Sequence, residues 1–324
     1  MSAVWETPLG CGPVLRVGAR MDRRLSIEER LERLQRWQKP AGSAEAERQQ
    51  RAERMVREAV GAHGAFADLD ITVEAKGSYP NKTNVRNDSD VDIKVQINDP
   101  FHAQIDPQRF WFGGRWMHRY DGPWKPRVLR RELHTALENA FGTVDDNPNV
   151  AFCIPEVPSS RPSADVVPCF KYVQFTDESL SERIEGSVVY CRDGTEIVNW
   201  PHQQLVNGKA KNERTNHRYK FVVRVLKSVE NDLAEQKVID PLPSYFSECL
   251  VYNVPDHVLA AGSFDDAVRG ALQHLQRSLH PWFIEPKSLV EPNGIKPLFG
   301  RGQKWQPADG RKLVRAAWTY LNYG

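Results

Sequence analysis

Hydrophobic positions before residue 70 follow the spacing of two helices. A leucine-rich stretch predicts the first helix over residues 26–38, and Ser26 with Glu29 forms a capping-box pattern at its start. The stretch 43–63 is rich in Arg and Glu and carries only a thin apolar stripe, which is typical of a helix with one solvated face. The elements that precede the middle of the chain are therefore expected to be helical.

The middle of the chain alternates apolar and polar residues, as strands do. Residues 71–75 are strand-like, and residues 91–97 alternate strictly. Further along, the pattern predicts a helix over 126–141, short strands over 151–154 and 163–167, and two β-like runs within 172–198 around a hairpin turn. Residues 99–123, rich in aromatics, Gly and Pro, are expected to form a long insertion or an ordered loop.

Helical periodicity returns after Pro201 and continues to the last residues. The predicted helices are 217–233, 244–252, 263–279 and 311–323. Helices, then strands, then helices predict an α+β protein of two lobes. We expect residues 1–200 to hold the N-terminal helices and the sheet, and residues 201–324 to form a helical lobe, with a cleft between the two.

Composition limits the classes of partner. The chain has 324 residues, and 44 Lys and Arg against 42 Asp and Glu give a net charge of only +2, far less basic than a protein that coats a DNA duplex. Its five cysteines are isolated from one another, which favours reduced thiols and argues against a zinc ribbon. With neither a signal peptide nor an 18-residue apolar run in the sequence, we expect a cytoplasmic protein that is not embedded in a membrane.

The segment from Gly77 to Ile93, GSYPNKTNVRNDSDVDI, carries the candidate chemistry. Asp90 and Asp92 are two positions apart at a predicted strand, so their carboxylates share one face. Two adjacent like charges need a cation, and Mg²⁺ binds carboxylates together with phosphate oxygens. Upstream, Gly77 allows close approach of the backbone to a triphosphate, and Ser78 adds a hydroxyl donor. The segment predicts a magnesium and nucleotide site.

Two other interpretations of the acidic run are open. Asp88, Asp90 and Asp92 match the first ligands of an EF-hand calcium loop, but Ile93 stands where glycine is required and Asp99 where glutamate is. The flanking pattern is also that of strands rather than helices. A solvated acidic turn is the second interpretation, and the Gly-Ser pair upstream weighs against it.

The spacing of Gly-Ser and Asp-x-Asp resembles the signature of polymerase-β-like nucleotidyltransferases. The longer string resembles the bacterial CD-NTases, relatives of metazoan cyclic GMP-AMP synthase and oligoadenylate synthase. This resemblance implies a third carboxylate on a later strand, and Asp165 is the best match because apolar neighbours surround it. Asp145, Asp146 and Asp177 lie in turn-like contexts and match less well. Lys76 departs from the family pattern, which usually has an apolar residue there.

The resemblance extends into the helical half and covers residues 70–255. Lys220, Arg224 and Lys227 form one basic stripe on a predicted helix, and the family pattern favours Lys227 as a triphosphate ligand. The alternative for this stripe is a solvated helix face. In the stretch 243–250, the resemblance implies that Ser244 binds phosphates and that Tyr245 stacks under a base; the alternative for Tyr245 is a core tyrosine.

The family implies a polymerase-β-like core with a helical C-terminal lobe, and an enzyme that joins ATP and GTP, or another nucleoside triphosphate, into a cyclic oligonucleotide. A cyclic dinucleotide for antiphage signalling is the product we expect. Asp90, Asp92 and Asp165 would hold two Mg²⁺ ions, or Mn²⁺ in their place. The alternatives are a related transferase that adds nucleotides to tRNA or a toxin, and a non-catalytic nucleotide-binding module.

The expected partners follow from the same resemblance. The sequence has no His/Cys cluster like the zinc insertion of the metazoan synthase, so we expect no activation by duplex DNA, and we expect a monomer. The chain ends at Gly324, and some CD-NTases are conjugated through such a glycine by a partner with E1- and E2-like parts. A glycine that simply ends the chain is the alternative. The bases, the linkage and the product size are left open by the sequence.

Overall fold

A seven-stranded mixed sheet and a cluster of helices make up the fold. The computed structural model describes residues 24–39, 42–85, 90–105, 116–118, 120, 122–158, 160–176, 181–282, 288–300 and 302–324. Its helices are α1 (Ile27–Trp37), α2 (Ser43–Ala62), α3 (Ser78–Asn81), α4 (Pro126–Phe141), α5 (Pro201–Arg214), α6 (Arg218–Glu235), α7 (Ser244–Tyr252), α8 (Asp256–Ala260), α9 (Phe264–Ser278) and α10 (Pro307–Tyr320). Its strands are β1 (Asp70–Ala75), β2 (Val91–Ile105), β3 (Trp116–His118), β4 (Phe152–Ile154), β5 (Ala164–Phe175), β6 (Arg183–Tyr190) and β7 (Glu196–Asn199).

The sheet has the order β1-β2-β5-β6-β7, with β3 paired to β2 and β4 paired to β5. Strands β2 and β5 are parallel, and the other pairs are antiparallel. Parallel neighbours need a crossover, and the chain between them contains β3, α4 and β4. In the parallel register Asp92 is the partner of Asp165, which brings two predicted site residues together at the start of their strands.

Two hydrophobic cores support these elements. One packs α2 and α4 on the sheet, with Val91, Ile93 and Leu133 fully buried. The second fills the helical half, where α6, α7, α9 and α10 converge. Leu25 and Leu34 pack into this second core, so α1 joins the helical lobe although it precedes the sheet in sequence. The expected division into residues 1–200 and 201–324 stays a prediction. Helix α1 belongs to the first of these ranges by sequence but packs in the helical lobe.

Most predicted elements are present, with four corrections. Residues 99–105 are not an insertion: they continue β2, and β5 is also longer than predicted. Helix α5 had no specific prediction because its sequence is polar and contains Gly208, which blurs the helical period. Helix α10 begins at 307, four residues earlier than expected. The capping box of Ser26 and Glu29 is confirmed. The calls on Asp88, Asp177 and residues 106–115 lie outside the described residues.

The described cysteines agree with the expectation of reduced thiols, and Cys11 lies outside the described residues. Cys153, Cys169, Cys191 and Cys249 are all free thiols. Among the helices that the structure describes, none is both long and apolar enough to cross a bilayer.

Candidate active site

A cavity of about 200 Å³ lies between the sheet and the helical half. Strands β2, β5 and β6 contribute one side of its lining, and helices α5, α6 and α7 contribute the other. Six of the predicted site residues line it: Gly77, Ser78, Asp92, Lys227, Ser244 and Tyr245. Asp90 and Asp165 are not among its lining residues. The cleft predicted between the two lobes is therefore where most of the candidate residues meet.

Gly77 stands at the turn between β1 and α3, and only glycine fits there. Its φ is +76°, and a Cβ built on it would lie 2.5 Å from Oδ2 of Asp92. The backbone N–H of Lys76 donates to the carbonyl oxygen of Asp92 at 2.9 Å, which holds the turn against β2. A larger residue at position 77 would therefore displace the Asp92 carboxylate. The sequence analysis explained Gly77 by the approach of a phosphate to the backbone. The structure adds a second reason, which is the lack of space for a Cβ beside Asp92.

The carboxylates of Asp90, Asp92 and Asp165 act on one another electrostatically. Burial raises the pKa of Asp92, and the charges of Asp165 and Asp90 raise it further, while Lys76 opposes them. Asp90 precedes β2 and is exposed, whereas Asp92 and Asp165 are half-buried. Among the described residues, no three Asp, Glu, His or Cys side chains converge tightly enough to form a ready ion site. The charges of Asp90 and Asp165 thus disfavour ionisation of Asp92, whereas the charges of Lys76 and Lys227 favour it.

Asp165 is held by a residue that the sequence did not single out. Cys153, its register partner on β4, donates a hydrogen bond from Sγ to Oδ1 of Asp165 at 2.9 Å. Burial and this hydrogen bond raise the pKa of the Cys153 thiol to about 12, so the thiol stays a donor. Asp145, a weaker candidate, pairs through its backbone with Cys153 of β4, and Asp146 follows it; neither is a strand partner of Asp92.

Lys227 reaches the cavity from α6 and is not on a solvated face. Only 2% of it is exposed, and its Nζ lies 3.3 Å from Oγ1 of Thr83 and 3.8 Å from Oε2 of Glu248. Burial lowers the pKa of Lys227, and the charges of Glu248 and Asp92 oppose that shift. Arg224, one turn earlier, is also buried and donates to the carbonyl oxygen of Lys82 at 2.9 Å. The solvated-face interpretation is therefore wrong for both residues.

Comparison with known proteins decides which family has this arrangement. Residues 206–322 match the family model described as the cGAS/DncV-like nucleotidyltransferase C-terminal helical domain. The cyclic dipyrimidine nucleotide synthase CdnE of Legionella pneumophila is 33% identical over 289 residues, which cover 88% of this chain and 96% of that relative. This chain belongs to the CD-NTase family. The predicted family, the fold and the nucleotidyltransferase class are thereby confirmed.

Two solved structures of CD-NTases match nearly the whole of each chain. The CdnE cyclic dinucleotide synthase of Elizabethkingia meningoseptica, with GTP and Apcpp, has a TM-score of 0.75 at 29% identity, covering 90% of this chain and 98% of that one. The CdnE c-UMP-AMP synthase of Rhodothermus marinus, with Apcpp and Upnpp, has a TM-score of 0.75 at 27% identity, covering 90% and 97%. The two-lobed architecture with a cleft is therefore that of the family.

Glu248 is the second site residue of this CD-NTase that the sequence did not single out. Its side chain is 3% exposed and accepts hydrogen bonds from Oγ1 of Thr83 and Nε2 of Gln204, both at 3.0 Å. Together with its contact to Lys227, these bonds join α5, α6, α7 and the segment after α3 at the cavity. A signal was present, because Glu248 lies one helical turn after Ser244 on a helix already assigned to the site.

Tyr245 belongs partly to the wall of the cavity and partly to the core. Its hydroxyl donates to Oε2 of Glu291 at 3.1 Å, and its ring meets Trp305 edge-on at 6.3 Å. Burial raises the pKa of Tyr245 well above its ordinary value, so the phenol is neutral at physiological pH. Ser244 begins α7 and is exposed to the cavity. The core interpretation is thus correct for part of the side chain, and stacking of Tyr245 under a base stays a prediction.

The chain end is packed against the helical lobe. Tyr323 is buried, and its hydroxyl donates to Oδ1 of Asp265 at 2.7 Å. The guanidinium of Arg30 lies 4.5 Å from the centre of the Tyr323 ring. Gly324 is exposed, but the residue before it is anchored. Conjugation through Gly324 stays a prediction.

Proposed function

We propose that this CD-NTase joins two nucleoside triphosphates into a cyclic dinucleotide in the cavity between its lobes. The supporting observation is the meeting of Gly77, Ser78, Asp92 and Lys227 around one space, with Asp165 beside Asp92 in the sheet. These groups provide carboxylates for a cation and donors for a triphosphate in a single cavity. The roles given to each residue below are part of this proposal.

Asp90, Asp92 and Asp165 are proposed to hold two Mg²⁺ ions, with Mn²⁺ as an alternative. Three neighbouring carboxylates suit a hard cation of this kind, and the charges of Asp165 and Asp90 add to the burial that raises the pKa of Asp92. When bound, such a pair of ions stabilises the attacking and leaving oxygens of an in-line phosphoryl displacement. The residues themselves would fix where the acceptor hydroxyl and the α-phosphate meet.

The phosphate contacts are proposed for Ser78, Lys227 and Ser244. Ser78 and Ser244 begin helices on opposite sides of the cavity and offer hydroxyl donors. Lys227 offers a charged donor. Glu248 and Thr83, which are not part of the family's sequence motif, contact its ammonium group and hold it in place. A triphosphate would therefore replace the long contact of 3.8 Å to Glu248 with a closer charge-assisted hydrogen bond.

Base selection is proposed to depend on the polar part of the cavity wall. Ser187 and Asn199 supply donors and acceptors there, and Val167 and Val189 supply an apolar surface. Relatives of this chain are named for different products, among them cyclic dipyrimidine, cyclic dipurine and cyclic UMP-AMP. For this chain we propose ATP as one substrate and GTP or another nucleoside triphosphate as the second.

The remaining proposals concern the setting of the reaction. We propose that the enzyme acts as a monomer, needs no DNA activator, and makes its product as an antiphage signal. The absence of a His/Cys cluster from the sequence and the net charge of +2 support independence from duplex DNA. Addition of nucleotides to an RNA or a protein is the competing function, and the same assay distinguishes it.

Product analysis tests the function directly. Purified enzyme is incubated with Mg²⁺ and labelled ATP, GTP, CTP and UTP, singly and in pairs, after nuclease treatment and without added nucleic acid. We expect a phosphatase-resistant product whose mass is that of a cyclic dinucleotide. In a parallel reaction with added tRNA, label that appears only on the tRNA or on a protein would support the competing transferase. No product from any pair of triphosphates, with or without duplex DNA, would contradict the proposal.

A further inference from the structure

A second cavity, of about 790 Å³, opens on the sheet lobe. The start of α4, strand β4 and the turn after β6 form its walls, and it shares no lining residue with the candidate active site. Five Lys and Arg residues line it against two Asp: Lys125, Arg127, Arg130, Arg131 and Arg192. We call it the basic cleft. The whole chain carries a net charge of only +2, so this concentration of positive charge is local.

Two guanidinium groups of the basic cleft converge on one oxygen. Nη2 of Arg130 donates to the carbonyl oxygen of Asp146 at 3.4 Å, and Nη1 of Arg192 donates to that same oxygen. Burial lowers the pKa of Arg130, the charge of Arg192 lowers it further, and the carboxylate of Asp146 opposes both effects. Within the described residues neither guanidinium is ion-paired with a carboxylate, so their charge is only partly compensated.

Arg130 is also fixed in position before any ligand arrives. It donates to the carbonyl oxygen of Pro148 at 3.1 Å, and its guanidinium lies 4.4 Å from the centre of the Phe152 ring. Arg127 and Arg131 flank it on the exposed side of α4. Arg131 itself pairs with Glu132 at 2.7 Å. A guanidinium held in place as that of Arg130 is suits anion binding, because less conformational entropy is lost for each hydrogen bond formed.

We propose that the basic cleft binds the phosphate groups of a small polyanionic ligand of nucleotide size. Guanidinium forks match phosphate oxygens in geometry, and several of them together favour a ligand with more than one negative charge. The volume lies within the range of roughly 300–1,000 Å³ that small-molecule pockets occupy. The cleft is a separate site, because Asp92 and Lys227 line the other cavity and none of the candidate active-site residues lines this one.

Calorimetry with inorganic tripolyphosphate, without divalent ions, tests the cleft. The full chain carrying Lys227→Ala serves as background, so that binding in the candidate active site is weakened. We expect this protein to bind tripolyphosphate, and Arg127→Ala with Arg192→Ala to weaken binding at least about tenfold by removing charge-assisted hydrogen bonds. The matched control is Arg54→Ala with Arg183→Ala, which removes two equally charged, exposed side chains outside the cleft and should leave the affinity unchanged.

A second variant protects the test against misfolding. Arg192 contacts the backbone, whereas Arg127 and Arg131 are exposed, so Arg127→Glu with Arg131→Glu reverses charge without removing that contact. It too should weaken tripolyphosphate binding at least about tenfold, with an unchanged melting temperature. Equal affinity in the cleft variants and the control would overturn the proposal. So would a cleft that retains a single-stranded RNA oligonucleotide but not tripolyphosphate.

Discussion

Asp92 and Asp165 are direct partners in the parallel register of β2 and β5, one residue inside each strand. Partners in adjacent parallel strands place their side chains on the same face of the sheet. The third carboxylate is thus brought to the Asp-x-Asp pair by strand pairing across more than seventy residues of chain. Cys153 on β4 then fixes the Asp165 carboxylate from the other side.

Asp165→Asn should abolish product formation and leave triphosphate binding measurable. Loss of a metal-binding carboxylate removes several kcal/mol of transition-state stabilisation, which corresponds to a rate reduction of about 10³-fold or more. The assay is initial-rate synthesis, with binding of a non-hydrolysable triphosphate measured in parallel. Asp145→Asn, in the turn before β4, is the matched control and should keep the wild-type rate. An active Asp165→Asn enzyme would exclude Asp165 as the third carboxylate.

Gly77→Ala should inactivate the enzyme and also destabilise it. The added Cβ would meet Oδ2 of Asp92 at 2.5 Å, and the φ of +76° disfavours any side chain, at a cost of about 1–3 kcal/mol. Thermal unfolding and initial rates measure the two effects. Gly61→Ala is the control, because nothing lies within 4 Å of its Cβ position and it sits inside α2. A Gly77→Ala enzyme with wild-type stability and rate would contradict the geometry of this turn.

Lys227→Ala should weaken triphosphate binding by about 1.5–3 kcal/mol, the range for a hydrogen bond to a charged group. Titration with a non-hydrolysable triphosphate measures the change. Lys220→Ala, two turns earlier on α6 and outside the lining of the cavity, should change the affinity much less. Equal losses in the two variants would mean that Lys227 acts only through the general charge of the helix.

Glu248→Gln should show whether Glu248 serves as the counter-charge of the buried Lys227 or contacts the nucleotide directly. Without the carboxylate, the buried ammonium loses its counter-charge, and the free protein should melt at a lower temperature. A bound triphosphate would restore that counter-charge. The rise in melting temperature on adding a non-hydrolysable triphosphate should therefore be larger than in the wild-type protein. A smaller rise would instead assign Glu248 to direct contact with the nucleotide.

Asp92→Asn should stabilise the protein in the absence of divalent ions. Burial and the charge of Asp165 raise the pKa of Asp92, so folding favours the protonated carboxyl and the ionised form costs stability at neutral pH. The melting temperature of Asp92→Asn should exceed that of the wild-type protein by about 2 °C for each kcal/mol of stability recovered. This difference should shrink as the pH falls towards about 4, where the Asp92 carboxyl is protonated in the unfolded chain as well. A variant that melts below the wild-type protein at pH 8 would contradict this.

The proximity of Gly77 to Asp92 was predictable because both lie in one short segment of the sequence, and the chemical roles of these residues stay predictions. Gly77, Asp90 and Asp92 lie within one turn and one strand, and a glycine with positive φ beside a carboxylate leaves a readable pattern. The role of Cys153 was not predictable in this way, and for Glu248 the spacing from Ser244 indicated its place on α7 but not its partners. Each depends on a partner on another element, and a buried carboxylate or thiol on an apolar face looks the same in sequence whether or not it has one.

The extent of β2 shows the same limit in the fold. Pro100 interrupts the alternating pattern, which favoured a loop, but pairing with β5 carries the strand through to residue 105. Tertiary pairing thus outweighs the local signal. Burial of Lys227 and Arg224 was equally hidden, because a basic stripe on a helix has the same spacing whether it faces solvent or a cavity.

The measurement that tests the central claim most directly compares cyclic-product formation by three purified proteins: the wild-type enzyme, Asp92→Asn and Asp99→Asn. Asp99 is an exposed aspartate on the same strand and outside the cavity, so Asp99→Asn makes the same chemical change away from the site. With Mg²⁺ and the four nucleoside triphosphates, we predict a phosphatase-resistant cyclic dinucleotide from wild type and Asp99→Asn and none from Asp92→Asn. Equal product from all three proteins would contradict the account.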